Sequence, residues 1–339
     1  MKKLLITLLL FSLPASLPAS VMASGGYSIN DRPWFRVEVG TYTGDGTDNR
    51  DIDTGFSPSF LQVYSENNSV WKTNDLSGDN AKEVNTLQDI QSNLIQSIDD
   101  TSFQVGSNAN INENTTPFYW VGIKTNSPFH YNCNTRTGDG VDGRELNIGF
   151  RPDFMSSIAD GINNPSLFKT NTLPDGNTDS SVSMSNAEYQ DNAWETITDT
   201  GVVIGSNSSV NTNANTYYDV LWNGEDDFYK SGTYTGNGVD DRKINGNRFT
   251  PSFLMVASDV GVYGAVWTTD MGTGTAYNTG PVASNNDTIQ DVFKDGFEIG
   301  TNAQVNTNAV RYDWIALKEG QHAINASDRS SQARTINYR

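Results

Sequence analysis

Hydrophobic and polar positions alternate over runs of only a few residues, as in Arg36-Val37-Glu38-Val39 and Phe103-Gln104-Val105, and Gly, Asn, Asp and Pro cluster between the runs. Alternation with a period of two marks a half-buried strand, and those four residue types close strands with turns. The abundance of Asn fits, because its side chain caps turns and tolerates left-handed backbone. One stretch breaks the alternation. Asp287 precedes Ile289, Val292 and Phe293, and Gly296 follows, which predicts a short helix with an N-cap and a glycine stop. Trp194 and Ile197 before Gly201, and Ile95 with Ile98, keep the same three-residue spacing.

Five landmarks recur three times in fixed order. A glycine loop comes first: Gly44-Asp45-Gly46-Thr47-Asp48-Asn49-Arg50, Gly138-Asp139-Gly140-Val141-Asp142-Gly143-Arg144 and Gly236-Asn237-Gly238-Val239-Asp240-Asp241-Arg242, with starts 94 and 98 residues apart. A Phe-x-Pro-x-Phe step follows, at Phe56-Pro58-Phe60, Phe150-Pro152-Phe154 and Phe249-Pro251-Phe253. Next come Val70-Trp71, Leu167-Phe168 and Val266-Trp267, then Gly106-Ser107-Asn108, Gly205-Ser206-Asn207 and Gly300-Thr301-Asn302, each leading to Asn112, Asn211 or Asn306. Aromatic strands close the copies at Phe118-Tyr119-Trp120-Val121, Tyr217-Tyr218-Asp219-Val220 and Tyr312-Asp313-Trp314-Ile315. A repeat of this length is a domain rather than a solenoid rung. The chain thus reads as all-β: three tandem antiparallel β-sandwich domains with Greek-key or jelly-roll-like connections, each with one short helix. The copies occupy 37–124, 129–223 and 228–318. Linkers of a few residues predict a semi-rigid rod in which each copy owns its core.

Residues 1–23 read as an export signal: Lys2-Lys3, an apolar run from Leu4 to Leu13, and Val21-Met22-Ala23 before a cleavage site. That run is too short to span a bilayer, so no transmembrane segment is expected in the mature chain. Residues 24–36 form a linker or first strand containing Trp34, and the polar stretch 319–339 lies outside the repeats. That tail is either a disordered terminus or, through Thr335-Ile336-Asn337-Tyr338, a strand added to a sheet edge. The formal charge is −18, and removal of Lys2 and Lys3 makes it −20. Such a surface repels phosphate backbones, which argues against a nucleic-acid partner. The single cysteine, Cys133, forms no intramolecular disulfide and aligns with Val39 as a packed strand thiol.

The glycine loop is the one feature that looks like a site. Its closely spaced carboxylates make Asp45, Asp48, Asp139, Asp142 and Asp240 weak calcium candidates. The alternating ligands and terminal Glu of an EF-hand are missing, and Arg50, Arg144 and Arg242 place a positive charge where a cation would sit. A structural loop is the stronger reading: Gly44, Gly46, Gly138, Gly140, Gly236 and Gly238 supply the backbone freedom, and Asp48, Asp142 and Asp240 pair with an arginine or cap the turn. Trp71, Trp120, Trp194, Trp222, Trp267 and Trp314 fall in columns that other copies fill with aromatic or aliphatic residues, except that Asp219 stands opposite Trp120 and Trp314. Core packing is the expectation for them. His130 and His322 are the only histidines, neither within a landmark, and no nucleophile elbow, zinc spacing or phosphate loop occurs.

The landmarks resemble an uncharacterised domain of bacterial secreted, surface and phage tail-associated proteins, whose copies open with Gly-x-Tyr-x-Gly-Asn-Gly-x-Asp-x-Arg. The run is clearest at Gly232-Thr233-Tyr234-Thr235-Gly236-Asn237-Gly238, and the likeness extends to Gly149-Phe150-Arg151-Pro152 and over nearly all of 37–318. The second copy departs most, with Arg136 where the others have Tyr42 and Tyr234. The resemblance implies a β-domain and no particular chemistry. The expectation is an exported, non-enzymatic bacterial protein, secreted or at the cell surface with the periplasm as the alternative compartment, acting in surface structure or adhesion. Its expected partners are itself, cell-surface components or polysaccharide, and no cofactor beyond the weak calcium case is expected. A carbohydrate-binding array is the alternative function and a glycan-cleaving enzyme the third.

Overall fold

The segment Phe60-Leu61-Gln62-Val63-Tyr64 is buried at every position, as are Phe253-Leu254-Met255-Val256-Ala257-Ser258 and nearly all of Phe154–Asp160. A strand with one solvated face cannot show this pattern; both of its faces must be covered. The computed structural model explains how. It describes residues 34–323, apart from 67, 128–129, 177, 179–180, 186–187, 225–226, 259–263 and 279–284. The expected signal segment, most of the 24–36 stretch and the Thr335–Tyr338 strand lie outside the described residues.

Two kinds of antiparallel sheet occur, three times each. In the first copy the large sheet runs, in spatial order, through Trp34–Thr43, Pro117–Thr125, Phe60–Tyr64, Ser69–Thr73, Asn80–Glu83 and Gln91–Ser92. A three-stranded sheet of Arg50–Asp53, Ser102–Val105 and Ile95–Ile98 covers one face. Tyr42, Leu61, Val63, Val70 and Trp120 from the large sheet meet Ile52, Ile95, Phe103 and Val105 from the small one in a single core. The same strand order recurs from Tyr131 to Trp222 and from Tyr229 to Leu317. The fold is therefore all-β, with antiparallel sheets packed as sandwiches and, among the described residues, three short α-helices. Among the described residues no helix is long and apolar enough to cross a membrane.

The other face of each large sheet turns to a common core. Phe35, Phe60, Tyr64 and Trp71 pack there with Phe154, Phe168 and Trp222 from the second copy and Phe253, Met255 and Leu317 from the third. Ring pairs cross the boundaries, Phe60 with Trp222 at 6.0 Å, Tyr64 with Phe253 at 6.1 Å and Tyr119 with Tyr277 at 5.4 Å. Polar links tie the second copy to both others. The Gly161 N–H donates to Asp89 Oδ1 at 2.9 Å, the Tyr189 hydroxyl to Asp313 Oδ2 at 2.5 Å, and Arg311 Nη2 to the Thr172 carbonyl at 2.8 Å. The expected rod is thereby corrected: each copy owns a sandwich core, as expected, but the three also share a common one. Short linkers are equally suited to folding the copies back on one another, and the apolar outer faces of the large sheets need that cover. The tail takes part: Gly320–Ala323 pairs antiparallel with Trp34–Val37 at the edge of the first copy's large sheet.

The helix in each copy is displaced from its expected position. Ile289–Phe293, Trp194–Thr198 and Ile95–Ile98 are strands, each with a bulge. Ile95 pairs with Val105 and Ile98 with Phe103, while Gln96 is the extra, unpaired residue. The bulge turns both isoleucines inward, so a spacing of three arises without a helical turn. Asp287 is no N-cap; it has left-handed backbone (φ 63°), as do Asn93 and Asn192. The single helical turns are Ala109–Asn112, Ser208–Asn211 and Ala303–Asn306, capped by Asn108, Asn207 and Asn302, whose side chains each accept a backbone N–H. The tryptophans behave as expected: Trp71, Trp120, Trp194, Trp222, Trp267 and Trp314 are all buried.

Candidate functional site: the glycine loops

Each loop is built around a buried asparagine at the end of the short helix. Asn306 is inaccessible to solvent. Its Nδ2 donates to the carbonyls of Val239 at 2.7 Å and Gly300 at 2.9 Å, and its Oδ1 accepts from the Asn237 N–H at 3.0 Å. Asn112 holds Thr47, Gly106 and Asp45 in this way, and Asn211 holds Val141, Gly205 and Asp139. The two glycines serve different needs. The first is required by close approach: a Cβ on Gly44, Gly138 or Gly236 would lie 2.0, 2.1 or 2.0 Å from a carbonyl oxygen just beyond the helix. The second, Gly46, Gly140 or Gly238, has φ of 71°, 70° or 67°.

Of the two roles expected for Asp48, Asp142 and Asp240, pairing with an arginine or capping the turn, the pairing with the arginine two residues on is not found. Arg50, Arg144 and Arg242 donate through Nη1 to the carbonyls of Thr43, Thr137 and Thr235 at 2.6, 2.8 and 2.5 Å. The nearest carboxylates are those of the first aspartate, Asp45 at 3.5 Å from Arg50 and Asp139 at 3.4 Å from Arg144. The third loop has Asn237 at that position. The hydroxyl and backbone N–H of Thr47 hold the Asp45 carboxyl below its usual range, and the Val141 N–H does so for Asp139. Asp45, Asp139 and Asn237 thus close the turn on their own side chains.

Asp48 and Asp240 face the bulge instead. Asp48 Oδ1 accepts from Gln96 Nε2 at 2.9 Å and Asp240 Oδ1 from Gln290 Nε2 at 2.8 Å. Gln96 and Gln290 are the extra residues of the strand bulges, so the bulge aims a side chain at the loop. These partners did not emerge from the sequence reading, although the only signal needed was the residue directly after Ile95, Trp194 and Ile289. In the second copy that residue is Glu195, at the same bulge position.

The departure at Arg136 also has a partner. Arg136 Nε meets Asp219 Oδ2 at 2.5 Å, with side-chain exposures of 4% and 1%. The Ser157 hydroxyl donates to the same carboxylate. Three positions have changed together. In the first and third copies the Trp120 and Trp314 indoles lie over Gly40 and Gly232, where a Cβ would come within 2.5 and 2.3 Å of the ring. Tyr42 stacks on Phe118, and Tyr234 on Tyr312. The second copy has Asn134, Arg136 and Asp219 at those places, and the Arg136 guanidinium lies 4.6 Å from the Tyr217 ring centre. A planar cation replaces a stacked ring, and a carboxylate replaces the indole that required glycine.

Cys133 lies half-buried in the edge strand Tyr131–Thr137, and burial pushes its thiol up to about 12, which makes it a poor nucleophile. Among the described residues no group of three or more His, Cys, Asp or Glu side chains is placed to hold a metal ion. A polar groove of about 260 Å³ opens between the second and third copies, lined by Asp153, Asn171, Thr172, Tyr229, Lys230 and Ser231. No known protein family and no curated protein matches the sequence.

Proposed function

We propose that this chain is an exported, non-enzymatic bacterial protein in which a triplicated β-sandwich serves surface structure or adhesion. The observation that carries the reading is how the recurrent loops are built. Their repeated polar groups, Asn306 and its counterparts above all, are satisfied by the loop's own backbone. Residues repeated to hold a turn are residues repeated for structure, and a catalytic loop would instead direct a reactive group outward. The resemblance to domains of bacterial secreted and surface proteins supports the same class. Cell fractionation with an antibody, combined with protease shaving of intact cells, tests it. Accumulation at the surface or in the medium is the expected result, and confinement of the intact chain to the cytoplasm would refute it.

A carbohydrate-binding role is the second reading, and the groove between the second and third copies favours it. Asp153, Asn171, Lys230 and Ser231 line it with the carboxylate, amide, ammonium and hydroxyl groups that recognise sugar hydroxyls. Retention on a polysaccharide column that Asn171→Ala abolishes would support this reading. Equal elution of the two proteins would remove it.

A further inference from the structure

Strand pairing puts Lys72, Lys169 and Trp267 at one place in the three copies, opposite Leu61, Met155 and Leu254. Trp267 therefore corresponds to the two lysines and not, as its spacing in the sequence suggests, to Trp71. All three side chains are buried, and each serves the loop that follows its strand. The Trp267 indole donates its single N–H to the Gly272 carbonyl at 2.5 Å. Lys169 donates to the carbonyls of Leu173 and Pro174, and its ammonium meets the Asp175 carboxylate at 3.4 Å. Lys72 donates to the carbonyl of Gly78 at 2.9 Å and to that of Asn80. An ammonium carries three N–H donors, so the third on Lys72 has no acceptor among the described residues. Gly78 stands six residues after Lys72, where the second copy has Asp175 six residues after Lys169.

The missing carboxylate leaves a space. Lys72 and Gly78, the two ends of one of those bonds, border a pocket of about 210 Å³ whose wall also includes Thr73, Asn74, Ser77 and Gln96. Gln96 Oε1 is buried with no hydrogen-bond partner, as is that of Gln290, and in the first copy the pocket lies beside that residue. Burial pulls the Lys72 pKa down to about 8, against the charge of Asp79, so the ammonium form prevails at neutral pH. Asp79 itself is exposed and accepts the Asn93 N–H at 2.8 Å. We propose that this pocket of the first copy binds a small hydroxylated carboxylate, the chemistry of an acidic sugar. The ligand carboxylate meets Lys72 as Asp175 meets Lys169, and its hydroxyls meet the hydroxyl and amide side chains of the wall. The second copy supplies its own carboxylate and the third fills the place with an indole, so neither offers this site. The site is separate from the groove between the second and third copies and does not depend on the reading given to that groove.

Calorimetric titration of the full chain at neutral pH tests this, with galacturonate as the probe and galactose and acetate as its uncharged and hydroxyl-free counterparts. Galacturonate should bind at one site per chain. Each counterpart should bind about tenfold more weakly or worse, the loss expected for one charge-assisted or several neutral hydrogen bonds. Lys72→Met should abolish binding. Because that change leaves the Gly78 and Asn80 carbonyls without their donor, Gly78→Asp provides a second test in which the ammonium and its loop bonds stay. Only Asn80 Nδ2, at 3.9 Å, comes within 4 Å of a Cβ built on Gly78, and Asp is among the side chains that tolerate its left-handed backbone (φ 68°). The new carboxylate should take the ligand's place or repel it, and weaken galacturonate binding by about tenfold or more. Asn171→Ala, in the other groove, should leave binding unchanged. No binding of galacturonate, equal binding of galactose, or binding undiminished in Gly78→Asp would overturn the proposal. Acetate bound as tightly as galacturonate would overturn the sugar assignment, and loss of binding in Asn171→Ala would move the ligand to the other groove and overturn this site.

Discussion

The buried Arg136–Asp219 pair permits a test in which two substitutions at one place should act in opposite directions. Asp219→Ala removes the carboxylate that meets Arg136 Nε at 2.5 Å and accepts the Ser157 hydroxyl. The guanidinium keeps its Nη2 contact to Ser157 Oγ at 3.4 Å and its position against the Tyr217 and Trp194 rings, none of which carries a negative charge. With 4% of the arginine side chain exposed, water cannot replace the lost partner without opening the sheet. Breaking a buried ion pair from one side costs about 3–5 kcal/mol, and an orphaned hydroxyl adds about 1 kcal/mol. The triple change Asn134→Gly, Arg136→Tyr, Asp219→Trp installs the aromatic set of the first and third copies. Replacing a buried pair by well-packed apolar groups is neutral or stabilising by about 1–4 kcal/mol. The glycine is needed because the incoming indole would occupy the space it fills over Gly40 and Gly232. Urea denaturation of the full chain provides the measurement, with the slope of the transition checked for constancy. A loss below about 1 kcal/mol for Asp219→Ala, or a triple variant as damaged as the single one, would refute the reasoning.

Three other outcomes follow from the same geometry. Asn306→Ala leaves two buried carbonyls and one N–H without their partner and should cost about 1–3 kcal/mol, with hydrogen-exchange protection lost first in the Gly236–Arg242 loop. A fragment of residues 228–318 exposes Phe253, Met255, Val266, Ile315 and Leu317, which face the shared core, so it should aggregate or bind a hydrophobic dye; a monomeric, cooperatively melting fragment would show that the common core is dispensable. Glu319, exposed beside the closing strand Gly320–Ala323, is raised to about 7 by partial desolvation and by the neighbouring Glu38 carboxylate, which itself meets Arg36 at 2.8 Å. The protonated form is thus favoured by folding, and the melting temperature should fall as pH rises through about 7, a dependence that Glu319→Gln should flatten.

How far the fold could be read from the sequence depended on whether a pattern had one physical cause or two. Alternation at Phe103-Gln104-Val105 has one, a strand with a single buried face, and it is found as such. The recurrence of Asn112, Asn211 and Asn306 was visible, but what they do was not, because a buried amide and an exposed turn cap use the same residue. The three-residue spacing of Ile95 and Ile98 had two causes, a helical turn or a bulged strand, and the β-branched side chains at both ends favoured the bulge. In a bulged strand the residue after Ile95 is the extra one, unpaired in the ladder. Reading that column across the copies gives Gln, Glu, Gln, and reading the arginine column's aspartate neighbours gives Asp48, Asp142 and Asp240. Neither column suggests a pair alone, since the two lie far apart in the chain. The Arg136 and Asp219 departures were likewise each visible as an oddity, and only strand pairing brings them together, with Arg136 opposite Tyr217 and Asn134 opposite Asp219. Two anomalies of opposite charge in one copy of a repeat are themselves a contact prediction, because a buried charge without its partner would cost more than most domains can spare.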